Sequence, residues 1–160
     1  KPTTRLAPGT VLAASPEEYG HFTMKATLIF EHGIAGSKAV CLDRGSPFEI
    51  GEMTSTDLGP LAKNRLYRGG EDGGATAFVL HPYQLEGAVP IGESGLYMGG
   101  LAAAAAAVNN GTAPPEDFKF AFGYIKWGPG TLEEQVQKGK WMLVELPQDM
   151  ILGQKANRDM

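Results

Sequence analysis

The sequence contains one cysteine, Cys41. An internal disulfide framework and a multi-cysteine zinc site are therefore excluded. A block of basic residues is also missing. Fourteen Lys and Arg stand against 18 Asp and Glu, a net charge of −4. Polyanion binding needs clustered cations to neutralise phosphates, so no nucleic-acid partner is expected. Long apolar runs are absent too. The longest uncharged stretch, 94–115, is interrupted by Gly and Asn and ends in Pro114-Pro115. A spanning helix needs about 20 predominantly apolar residues, so no membrane span is expected. No secretory leader is read at the start of the chain. Lys1-Pro2-Thr3-Thr4-Arg5 is basic and free of acids, a composition compatible with the end of an organelle transit peptide.

Hydrophobic residues make up 42% of the chain, too many for disorder. With 160 residues the expectation is one domain, 1–160, with 1–7 as an N-terminal extension and 153–160 as a C-terminal tail. The 22 Gly and 11 Pro point to many turns and bends within it. Short apolar strands are read at 10–14, 23–30, 38–42, 66–68, 75–80, 96–98 and 141–146. Phe118, Phe120 and Phe122 alternate with period two and are expected on one sheet face, packed with Trp127 or Trp141. Ser15-Pro16-Glu17-Glu18 carries the signals of a short helix start. The six alanines Ala102–Ala107 give the clearest helix, stopped by Asn109-Asn110-Gly111. A second helix starts at Thr131, where Thr-x-x-Glu predicts a capping box with Glu134. Residues 46–63 read as irregular with at most one short helix, and residues after Pro147 as a tail. Strand pairs mixed with short helices predict an α/β (α+β) domain built on a mixed sheet.

Chemistry-bearing motifs are sparse. Gly69-Gly70-Glu71-Asp72-Gly73-Gly74 suggests a phosphate loop, but the Lys-Ser/Thr pair of a P-loop does not follow it. A hairpin connection with Glu71 and Asp72 exposed at its tip is the better reading. Gly128-Pro129-Gly130 opens a helix, and Glu133 and Glu134 in its first turn would repel an anion there. His21, His32 and His81 are scattered, without a paired His or Cys at metal-ligand spacing. No metal and no cofactor are expected. His81 is expected to hydrogen-bond in a bend, and Cys41 to pack as a small apolar residue. No Gly-x-Ser-x-Gly elbow supports a serine hydrolase. The alanine helix, centred on Ala104, permits close approach of another surface, either the chain's own sheet or a partner, although helix propensity alone accounts for the run.

Larger blocks carry a resemblance. They are Gly9-Thr-Val-Leu-Ala-Ala-Ser15-Pro16, Gly36 through Asp43-Arg44, Tyr67-Arg68-Gly69-Gly70, and Phe78-Val-Leu-His81. Gly123-Tyr124-Ile-Lys-Trp127-Gly128-Pro129-Gly130-Thr131-Leu132-Glu133 follows, closed by Gly139-Lys-Trp141. Their order and spacing resemble the AlgH/YqgE family over roughly 8–152. The chain departs from the family pattern at Gly70-Glu71-Asp72-Gly73, at Lys38–Arg44 and at Thr131. The resemblance implies one compact domain whose bent, mostly antiparallel sheet forms a pseudo-barrel flanked by short helices. It implies no catalytic activity.

The expected function is a non-enzymatic interaction or accessory subunit that docks on a larger assembly. The expected contact surface is Gly69, Gly70, Glu71, Asp72 and Ala104. The family's occurrence in photosynthetic eukaryotes makes a plastid photosynthetic membrane complex a candidate host. The chain would then sit in the stroma or peripheral to the thylakoid, and otherwise in the cytoplasm. The rival reading is a small-molecule-binding enzyme or regulator with a pocket formed by Arg68, His81 and Trp127.

Overall fold

Alternation along the strands determines how this chain packs. In the computed structural model, which describes residues 2–14 and 26–153, ten strands form one sheet. They are β1 (Val11–Ala14), β2 (Ala26–Gly33), β3 (Gly36–Cys41), β4 (Gly45–Glu49), β5 (Arg65–Arg68), β6 (Asp72–His81), β7 (Ala88–Pro90), β8 (Tyr97–Gly99), β9 (Lys119–Trp127) and β10 (Trp141–Val144). The order is β10-β1-β2-β3-β9-β6-β8-β7, with β5 pairing β4 and β9 off that path. The described pairings are antiparallel except β5 with β9. Three helices accompany them: α1 (Leu101–Asn109), α2 (Thr131–Gln137) and α3 (Gln148–Leu152).

Neighbouring residues on a strand enter opposite clusters, as a period of two requires. Val11, Leu28, Val40, Tyr67, Leu80 and Ala121 fill one cluster with Ile151 and Leu152 of α3. Their strand neighbours Leu66, Val79 and Phe120 face the other way, into a second cluster beneath α1. Leu12, Ile29 and Ala39 face a third, with Trp127 and Leu132 of α2. Both faces of the curled sheet are therefore covered, which gives a half-barrel.

Phe118 and Phe120 are buried in the second cluster, and Phe122 packs partly against it. The shared face holds, but its packing partners differ from the expectation: Trp127 and Trp141 belong to the third cluster. There, the two indoles meet edge to face at 6.2 Å. Both Nε1–H groups donate to Gln135 Oε1, at 3.1 and 2.9 Å, tying α2 between them.

Four local expectations are corrected. Residues 46–63 contain part of β4 and two 3₁₀ turns, Ile50–Glu52 and Gly59–Lys63, the second stacked against α1. Residues after Pro147 form α3, held because Ile151 and Leu152 are buried. Thr131 is the first residue of α2 rather than its cap. Gly130, at φ 74°, occupies the cap position, and Glu134 pairs with Lys138 instead. Gly69–Gly74 is not a hairpin. Phe122 pairs with Arg68 of β5 on one edge and with Ala77 of β6 on the other, so β5 and β6 flank β9. The chain crosses β9 at Gly69-Gly70, against Gly123. A Cβ on Gly123 would lie 2.3 Å from Gly70 O, and Gly123 has φ 75°. Only glycine meets both demands. The helix start read at Ser15–Glu18 lies outside the described residues.

Candidate binding site

Where β6 and β9 turn their second-cluster face outward, the core is incompletely filled. Leu66, Val79, Phe120 and Phe122 form the floor of a cavity of about 440 Å³. One wall is the turn Met98–Leu101 that starts α1; the other is the segment from Ile50 to Leu58. Gly99 and Gly100 adopt φ 95° and 76°, a turn open to glycine, and they add no side chains to the space. Met53 stands at the rim, 58% exposed. Among the described residues no ionisable side chain lines the cavity, and Thr54 supplies the one side-chain hydroxyl.

The residues expected to form a pocket are not brought together. His81 is fully buried at the end of β6. Its Nε2 donates to Gly99 O at 2.8 Å, and its Nδ1 accepts from Tyr83 N at 3.1 Å. Burial lowers its pKa from the ordinary value, so the neutral ring is the resident form. Its hydrogen-bonding role in a bend agrees with the sequence reading. Trp127 lies at the far end of β9. Leu80 pairs with Lys119, eight residues from Trp127, a separation of about 26 Å along the strand. Arg68 is exposed at the end of β5. None of the three lines the cavity.

The expected contact surface also divides. Glu71 and Asp72 are exposed, and Asp72 Oδ2 accepts from Lys126 N at 3.0 Å. Gly69 is buried in the crossing and Gly70 is half-buried. Ala104 is fully buried in the second cluster, so it serves the core and not a contact.

One buried charge escaped the sequence reading. Lys119 is 2% exposed. Its Nζ donates to Ile151 O at 3.1 Å and sits 4.3 Å from the centre of the Tyr67 ring. Burial lowers its pKa to about 8, with Asp43 and Cys41 acting in the opposite direction. The Cys41 thiol donates to Asp43 Oδ1 at 3.2 Å and is pushed up to about 11, first by burial and then by the Asp43 charge. A thiol held protonated is a poor nucleophile.

His32 Nδ1 lies 2.7 Å from Ser37 Oγ, and Nε2 lies 3.7 Å from Glu133 Oε2. The set has the residue types of a hydrolytic triad. Ser37 is 3% exposed, paired between His32 of β2 and Trp127 of β9, however, so an acyl group has no approach to its hydroxyl. Among the described residues no group of three His, Cys, Asp or Glu is placed to hold a metal ion. His21 lies outside them. No described helix is long and apolar enough to cross a membrane.

The fold and sequence both have relatives. A UPF0301 protein of Myxococcus xanthus is 29% identical over 157 residues, covering 96% of this chain and 86% of the relative. A UPF0301 protein of Chlorobium limicola is 27% identical, covering 92% and 79%. The crystal structure of DIP2367 from Corynebacterium diphtheriae superimposes with a TM-score of 0.75 at 19% identity, over 96% of this chain and 83% of that one. The solution structure of the AlgH protein from Pseudomonas aeruginosa gives 0.70 at 22% identity, over 96% and 85%. The model of the AlgH-like family, DUF179, matches residues 11–159, and the chain belongs to that family.

Proposed function

We propose that this chain is a non-enzymatic interaction module, an accessory subunit that docks on a larger assembly. The observation that carries the reading is the engagement of its buried reactive groups. Both His81 nitrogens, the Cys41 thiol and the Lys119 ammonium are committed to internal partners. A catalytic site aims such groups into a cleft. Here the cavity over Phe120 and Phe122 is lined by apolar side chains instead.

Docking is assigned to the exposed acidic pair Glu71 and Asp72, and to Phe48 and Met53, which are 45% and 58% exposed on the irregular 46–63 segment. Apolar anchors beside polar residues are the usual composition of an interface. The finer form of the proposal places the host in a plastid, as a photosynthetic membrane complex. The relatives named above are bacterial, so the docking role is stated independently of compartment.

The test is the native size of the protein. In extract of the source organism, the wild-type chain should migrate with a larger complex. Purified wild-type chain should rebind that complex after it has been stripped. Glu71→Ser with Phe48→Ser and Met53→Ser should weaken rebinding at least tenfold while leaving the far-ultraviolet circular dichroism unchanged. A chain that is monomeric in extract at every salt concentration overturns the reading.

A further inference from the structure

We infer that the cavity beneath the 50–58 segment is a binding site for an uncharged, predominantly apolar small molecule. Protein interiors pack densely, and voids larger than a water are few. A 440 Å³ space against the floor of a core cluster is far larger than such voids. It falls in the range of small-molecule pockets, about 300–1,000 Å³. It is also about three times the roughly 150 Å³ cavity that accommodates benzene, so an occupant of up to about 18 non-hydrogen atoms fits.

The lining defines the chemistry of the occupant. Leu66, Val79, Phe120, Phe122 and Leu101 present hydrocarbon, and among the described residues no ionisable side chain faces the space. Water would find few hydrogen-bond partners along these walls, so displacing it favours an apolar occupant. A charged ligand would lose its hydration without a counter-charge. A neutral hydrocarbon chain or fused-ring body meets neither obstacle. Thr54 leaves room for one hydroxyl or carbonyl on it. Met53 at the rim, long and unbranched, can move aside for entry.

The site is separate from the residues of the rival pocket, and it shares Met53 with the proposed docking surface. Binding is measured on the purified chain alone, so either proposal can fail without the other. The probe is N-phenyl-1-naphthylamine, which is neutral and brightens in apolar surroundings. Wild type should bind one probe per chain, saturably, with Kd on the order of 10–100 μM. Decan-1-ol should displace it at least tenfold more effectively than decanoate at pH 8. Ala77→Trp, at an exposed lining position, should reduce probe affinity at least tenfold with a urea midpoint no lower than that of wild type. Met98→Phe, which also lines the cavity, replaces it should Ala77→Trp unfold. Absence of saturable one-to-one binding overturns the inference. So does equal affinity in a folded filled-cavity variant, or equal displacement by decanoate.

Discussion

Raising the pH from about 8 to about 9 should make this protein more stable, because of Lys119. Its ammonium is buried against Tyr67 and the end of α3, and burial holds its pKa at about 8 against an ordinary 10.5. Above pH 8 the folded chain releases this proton, while the unfolded chain keeps it until about 10.5. The unfolded state then binds more protons, so unfolding free energy rises with pH by up to about 1.4 kcal/mol per unit. Across the whole window the gain is about 3 kcal/mol. Cys41 acts with the opposite sign. Its folded pKa of about 11 lies above the ordinary 9.0, so between those values the folded chain keeps a proton that the unfolded chain has lost. Its contribution therefore declines as pH rises from 9 to 11. The two slopes oppose each other above pH 9, confining the net rise to about pH 8–9. Urea unfolding at pH 7–10.5, followed by tryptophan fluorescence, separates them. Lys119→Met should lose the rise and decline above pH 9. Cys41→Ala should keep rising to about pH 10, where Tyr83, whose hydrogen bond to Asp117 raises its pKa, begins to oppose the rise. Wild type and Lys119→Met running parallel between pH 7 and 9 would refute the argument.

Gly123→Ala forces a side chain onto a left-handed backbone and against Gly70 O, and should cost at least about 2 kcal/mol. A urea midpoint within error of wild type would remove the crossing from the account. Thr131→Ala removes no cap contact, since Gly130 holds the cap position. It should change stability by no more than about 0.5 kcal/mol, and a loss above 1 kcal/mol in the same assay would reinstate the capping box. His81 has a folded pKa below its unfolded value of 6.5, so its contribution is complete above pH 6.5 and is lost as pH falls toward the folded pKa. The stability difference between wild type and His81→Phe should shrink as pH falls below 6.5. A difference independent of pH would mean that folding leaves the pKa of the ring unchanged.

The regular elements were legible where local pattern and tertiary need agree. The Phe118–Phe122 alternation marks a strand because three rings on one side require a buried face, and that face exists. The alanine run and its Asn-Asn-Gly stop place α1 within a residue of its observed end. Elements that depend on distant partners were not legible. β4 carries Pro47 and reaches β5 at only two register positions, so its sequence does not alternate. β7 has three residues ending at Pro90 on the sheet edge. α3 has five residues and holds because Ile151 and Leu152 find a core. Lys119, flanked by Phe118 and Phe120, reads as an outward-facing polar residue. It points inward because the opposite face of β9 is covered as well, and that is a property of the whole sheet.

The cavity shows the same limit from another side. Its lining comes from separate segments between Ile50 and Phe122, so no short window of sequence contains it. Its cause is nevertheless compositional. Ala104 and Val108 form the buried i, i+4 stripe by which α1 rests on the second cluster. Ala104 brings little bulk to that contact, so α1 approaches closely at this point. At its N-terminal end, Gly99 and Gly100 contribute no bulk and Leu101 is left to face the space alone. The small residues of the alanine helix permit close approach either to the chain's own sheet or to a partner. Ala104 makes the first of these contacts while Ala102 and Ala106 are exposed, and the space left unfilled opens beside the two glycines that start the helix. If filling this gap with Trp at position 77 raises stability while abolishing probe binding, the void is an energetic cost retained in the fold.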